Sequence, residues 1–227
     1  MRLDHGKASA DTSSGYAPVD VTQPGYHKGR IPANKGRRYP PEVLSPEEVH
    51  AILDACPDNL VGIRNRALIT TLYRAGLRCN EALLLEPKDI GFFDTSIRVL
   101  HGKGDRARTV GIDPAALTII EHWITERTRY GFTKSQPLYC TRHGGPIGSS
   151  YVRELLPRLA WKVGIAKRVH PHGLRHTHAY ELMMEGIPIS IIQRQLGHAS
   201  LATTDIYLSQ IAPKQVIEAI SSREWVR

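Results

Sequence analysis

His170-Pro171-His172-Gly173-Leu174-Arg175-His176-Thr177-His178 is the stretch on which the reading of this chain turns. His172 and Arg175 are three residues apart at the start of an expected helix. They therefore share a face and the positive field of that helix end. Arginine suits a phosphate, because its planar fork gives two parallel hydrogen bonds and never loses its charge. Four histidines in nine residues also invite a metal reading. Against it, no HExxH spacing occurs and no carboxylate or cysteine co-ligand stands nearby, so no metal site is expected.

Moving outward, Leu196-Gly197-His198 places a histidine just past a helix end, and Tyr207 follows on Thr203-Thr204-Asp205-Ile206-Tyr207-Leu208. A lone tyrosine at such a place is ordinarily half-buried packing. Upstream, Gly76-Leu77-Arg78-Cys79-Asn80-Glu81 sets a second arginine at a helix start. Glu81 lies three residues on, where it can hold the guanidinium still. By itself such a pair is commonly a surface salt bridge. Lys103 stands between Gly102 and Gly104, at the tip of an expected hairpin. There it is either a solvated turn lysine or a mobile cation free to approach a ligand. No GxxxxGK[ST] pattern makes this a nucleotide-binding loop.

The coarse pattern predicts a mainly helical fold with a small antiparallel sheet (α+β). Ser45-Pro46-Glu47-Glu48 is a capping box with proline at the first helical position, and Val49, Ile52 and Leu53 supply an apolar stripe. Further helices are expected at about 63–74, 78–85, 114–130, 149–163, 173–185, 189–196, 200–207 and 214–221. Strands are expected at 96–100 and 108–112, forming a hairpin with a basic tip, and weakly at 138–140.

The chain has 227 residues and a formal charge of +8, with a pI near 9.5. That length gives one good-sized domain plus a tail. The charge favours a polyanion as partner, nucleic acid being the commonest, though a merely basic soluble protein has the same balance. Residues 1–40 read as a basic, disordered tail, with seven Lys/Arg against three Asp. Its cluster of Lys28, Arg30, Lys35, Arg37 and Arg38 either tracks a phosphate backbone or is a solvated linker. Arg106 and Arg108 extend the basic character into the hairpin. Cys56, Cys79 and Cys140 form no CxxC pair, which fits a reducing cytoplasm. No apolar run is long enough for a membrane span, and no secretory signal opens the chain.

Taken together, GLRxxE, a strand–turn lysine in GKG, HxLRHT, LGH and a tyrosine nine residues later resemble the tyrosine recombinase (phage integrase) family, in order and separation, over about residues 42–220. The resemblance implies that residues 41–227 form the catalytic domain of a DNA breaking–rejoining enzyme. Arg78 and Arg175 would clamp the scissile phosphate. His172 and His198 would assist proton transfer and phosphate binding, Lys103 would be the acid, and Tyr207 the nucleophile. Glu81 would support, with Lys28, Arg30, Lys35, Arg37, Arg38, Arg106 and Arg108 as DNA contacts. No cofactor, metal or ATP is implied.

The chemistry is coherent on its own terms. Ionising a tyrosine of pKa about 10 near pH 7 costs about 4 kcal/mol. Two arginines around the target and a neutral histidine offset such a cost. The implied partners are double-stranded DNA, a homotetramer on paired sites, with a C-terminal helix at about 213–222 exchanged between subunits, and an accessory recombinase or directionality factor. The implied location is cytoplasmic, at the nucleoid. Two features depart from the family. Only the short tail stands where a separate helical DNA-binding domain is usual, and Cys79-Asn80 replaces a small or aliphatic pair. A catalytically silent DNA-binding relative, a truncated integrase and relaxation of the type IB topoisomerase kind are the competing readings.

Overall fold

A computed structural model describes residues 42–100, 107–197 and Ser221, all within the unit Pro40–Arg227. The first helix, α1 (Pro46–Asp54), opens as its capping box predicts. Ser45 Oγ accepts from the Glu48 N–H at 3.3 Å, and the Ser45 N–H donates back to Glu48 Oε2 at 2.7 Å. Val49, Ile52 and Leu53 face the core.

Helix α2 (Leu60–Arg74) begins three residues before the expected Ile63. Asn59 caps it, its Oδ1 accepting from the Gly62 N–H at 2.9 Å. It is buried on nearly every side, which explains its weak amphipathic pattern: it is the helix around which the others pack. Helix α3 (Cys79–Leu83) is short, and a 3-10 turn at Pro87–Asp89 leads into a small sheet.

That sheet has three strands in the order β1 (Ile90–Gly91), β2 (Ser96–Val99), β3 (Arg108–Gly111), all antiparallel. The β2–β3 hairpin is the expected one, and β1 was not anticipated from the sequence. The expected strand at 138–140 is reduced to a single bridge, Cys140 to Pro146. Its backbone is already engaged elsewhere: the Leu138 N–H bonds Leu85 O at 2.6 Å, and Leu138 O accepts from the Trp123 indole at 2.8 Å.

Helices α4 (Pro114–Arg129), α5 (Ser149–Lys162), α6 (Pro171–Met184) and α7 (Ile189–Leu196) complete the order. The helices expected at about 200–207 and 214–221 lie outside the described residues, Ser221 apart. One continuous core gathers side chains from α1 to α6 and the sheet, including Leu68, Leu72, Ile97, Trp123 and Leu156. A smaller cluster, Ala179, Ile192 and Leu196, joins α6 to α7. Thr177 of α6 accepts from the Leu44 N–H at 3.1 Å, fastening the start of the domain to the helix that carries Arg175. Among the described residues no helix is long and apolar enough to cross a membrane.

Candidate active site

Gly76 makes the site possible. It follows the last turn of α2 with φ +61°, a conformation most side chains avoid. A Cβ there would lie 2.4 Å from His178 Cδ2 and 3.1 Å from Leu196 Cδ2. The absent side chain therefore lets α6 and α7 close onto the end of α2. Two residues on, Arg78 caps α3 in an extended conformation. Its N–H bonds Glu81 Oε2 at 2.9 Å, its Nη1 bonds Glu81 Oε1 at 2.8 Å, and its Nη2 bonds Gly197 O at 3.2 Å.

Arg175 reaches the same place from α6, and it is almost fully buried. Backbone carbonyls hold its guanidinium: Nη1 donates to Gly76 O at 2.6 Å and Nη2 to Leu196 O. The carbonyl end of α7 thus points at a cation, the polarity a helix dipole favours. His172, one turn before Arg175, has its pKa pushed down to about 4, first by burial and then by the charges of Arg175, His170 and Arg78. It is neutral at pH 7 and can accept a proton. Its ring meets that of His176 edge-on, with centroids 4.5 Å apart.

A brace on the opposite side fixes α7. Gln195 acts on Gly111 of β3 as a neighbouring strand would. Its Oε1 accepts from the Gly111 N–H at 3.0 Å, and its Nε2 donates to Gly111 O at 2.8 Å and to Ala75 O at 3.3 Å. Gly197 then ends α7 in the left-handed conformation, φ +64°. Arg78, Glu81, His172 and Arg175 all line one cleft of about 720 Å³.

Residues 42–212 match the phage integrase family. The chain belongs to that family. It is 33% identical over 177 residues to "Tyrosine recombinase XerC" of Haemophilus ducreyi, covering 78% of this chain and 58% of that protein. The fold is similar to the crystal structure of XerH site-specific recombinase bound to palindromic difH substrate, a post-cleavage complex. There the TM-score is 0.68 and the identity 30%, over 81% of this chain and 54% of that one. The crystal structure of XerA recombinase superposes with a TM-score of 0.71 at 27% identity, over 88% of this chain and 72% of that one. The chain spans 58% of the length of the XerC relative.

Of the residues singled out by the integrase-like motifs, the structure brings Arg78, Glu81, His172 and Arg175 together. Lys103, Arg106, His198, Tyr207 and the tail residues Lys28, Arg30, Lys35, Arg37 and Arg38 lie outside the described residues. Arg108 turns inward from β3. Its side chain is 15% exposed. Both its Nη atoms bond Glu81, each at 2.9 Å. The pairing has a simple cause: a buried carboxylate needs cations, and β3 runs past it.

Two cationic cleft residues escaped the sequence reading, the exposed Arg153 and Arg168. Arg153 shares a helical face with Ser149 and Pro157, which line the same cleft at four-residue spacing. That spacing was the available signal. Arg168 sits on the loop before α6, where no periodicity marks it.

Proposed function

We propose that this chain is the catalytic part of a site-specific DNA recombinase that cleaves and rejoins DNA through a 3′-phosphotyrosyl intermediate. The observation that carries the proposal is the convergence of two arginines and a neutral histidine, Arg78, Arg175 and His172, on one cleft beside Gly197, the residue before His198.

In this reading Arg78 and Arg175 hold the non-bridging oxygens of the scissile phosphate. Tyr207 Oη attacks phosphorus, and its proton passes to His172. The bond from phosphorus to the 5′-oxygen breaks, and Lys103 supplies the proton that oxygen needs to leave as a hydroxyl. Negative charge grows on the equatorial oxygens, so fixed guanidinium donors stabilise the transition state more than the ground state. His198 adds a hydrogen bond to the same phosphate. The phosphotyrosine conserves the bond energy, and attack by a 5′-hydroxyl reverses the step. Double-stranded DNA is the substrate, with the basic tail adding phosphate contacts. A homotetramer on paired sites, with the segment at about 213–222 exchanged between subunits, and an accessory recombinase or directionality factor belong to the same proposal.

The test is a covalent trap. Wild type and Tyr207→Phe are incubated with nicked duplexes tiled across the gene's own flanking DNA, with and without EDTA, and resolved on a denaturing gel. The proposal predicts a DNA-linked band with wild type alone, insensitive to EDTA. A band that survives Tyr207→Phe, or cleavage that leaves no protein on the DNA, contradicts it.

A further inference from the structure

Glu81 is the one carboxylate among the described residues that line the cleft, and it is 4% exposed. An isolated pair of Arg78 and Glu81 would be neutral overall, a poor receptor for an anion. Two guanidinium groups meet this carboxylate, however. Oε1 accepts from Arg78 Nη1 at 2.8 Å and from Arg108 Nη1 at 2.9 Å. Oε2 accepts from the Arg78 N–H and from Arg108 Nη2, each at 2.9 Å. These bonds use all the lone-pair sites the carboxylate offers. Burial pushes the Glu81 pKa up, but the bonds from Arg108 and Arg78 outweigh it and hold the group at about 2. Glu81 is therefore ionised at neutral pH, and one carboxylate between two guanidinium groups leaves a net positive charge.

We propose that Arg108 is a positioning residue: by neutralising Glu81, it lets Glu81 orient Arg78 without cancelling the charge that Arg78 offers to a phosphate in the cleft. The inference rests on the reading of this cleft as the seat of the scissile phosphate. Geometry ties Arg108 to a second part of the site as well. Its guanidinium lies against Gly197, where a Cβ would come within 2.7 Å of Nε and 2.8 Å of Cζ. Gly197 also gives its carbonyl to Arg78. Arg108 thus joins strand β3, the start of α3 and the end of α7. A DNA contact would leave its Nη groups facing solvent rather than bonded to Glu81.

The test compares Arg108→Gln, Arg108→Lys and the double variant Glu81→Gln/Arg108→Gln in single-turnover cleavage at saturating DNA, with urea midpoints measured alongside. Arg108→Gln leaves an uncompensated carboxylate on Arg78 and should slow cleavage at least about 10-fold, while DNA affinity stays near that of wild type. Arg108→Lys should recover part of the rate. The double variant removes the offending charge and should cleave faster than Arg108→Gln alone, an inversion that a packing role does not produce.

A double variant as slow as Arg108→Gln overturns the inference. So does an Arg108→Gln protein whose saturated rate is unchanged while its salt slope falls by about 0.9, the mark of a lost phosphate contact. Binding of inorganic phosphate, followed by calorimetry, gives a readout without cleavage. Wild type should bind, Arg108→Gln should lose affinity as Arg78→Gln does, and the double variant should regain part of it. That pattern in a protein that cleaves no DNA would sink the recombinase reading and leave this inference standing. Failure of wild type to bind phosphate would overturn the inference itself.

Discussion

Arg175 and Arg78 line the same cleft, yet one is sunk in the core and held by carbonyls, while the other stands at the rim and is held mainly by a carboxylate, with one carbonyl beside it. Carbonyl dipoles orient Arg175 without cancelling its charge, but they require α2 and α7 to bring Gly76 O and Leu196 O to it. The carboxylate orients Arg78 more simply, through a side chain one helical turn away, but it brings a negative charge that Arg108 must offset. A cation meant for an anionic ligand can thus be fixed by the backbone or by a compensated ion pair. The first solution depends on tertiary packing, the second on local sequence plus one distant partner.

Breaking the carbonyl-held side should have the larger effect. Arg175→Lys keeps the charge but has one nitrogen where two are needed, so Gly76 O or Leu196 O loses its donor in a buried place. We expect a loss of about 1–3 kcal/mol in stability, read from the urea midpoint, and cleavage slowed beyond the effect of Arg78→Lys. Gly76→Ala should follow closely. It adds left-handed strain to a Cβ contact with His178, with a cost of about 2–3 kcal/mol; an unchanged midpoint would show that α6 is free to shift.

Gly197→Ala sharpens the comparison from the other side. Its Cβ would meet the flexible guanidinium of Arg108 rather than a packed ring. Stability should fall by only about 1–2 kcal/mol, while cleavage at saturating DNA should fall as it does in Arg108→Gln. Equal losses in both measurements would contradict the coupling of Arg108 to the site.

The last handle is pH. Burial, with the charges of Arg74 and Arg175, pushes the His178 pKa down to about 3, and His172 is lowered to about 4. Both are held neutral in the fold, so the unfolded chain binds more protons below its ordinary histidine pKa of about 6.5. Stability should therefore be full above that pH and decline as it falls toward 4. His178→Gln should flatten that decline, as seen in urea midpoints across the range.

The sequence made the local features plain and hid those that depend on distant segments. Ser45 and Glu48 announce a helix start because capping chemistry lies within three residues, and Gly76 and Gly197 mark helix ends for the same kind of reason. Arg78, Glu81, His172 and Arg175 were legible as candidates because each stands at a helix start or one turn from it. What the pattern could not give was partnership across the fold. Arg108 looked like one more basic residue of a hairpin, since Glu81, 27 residues away, is close only once β3 passes α3. Nothing in the local pattern singles out Gln195, which stitches α7 to β3 over 84 residues of chain. Leu138 carried the composition of a strand, but Trp123 and Leu85 had claimed its backbone.

The most direct measurement is the single-turnover rate of covalent adduct formation on a nicked duplex at saturating concentration, for wild type, Arg175→Ala and Arg78→Ala. The account predicts that each variant binds DNA within a few-fold of wild type and forms the Tyr207 adduct at least about 100-fold more slowly, the scale of one lost oxyanion donor. Either variant forming the adduct at the wild-type rate would contradict the claim that these two arginines hold the scissile phosphate.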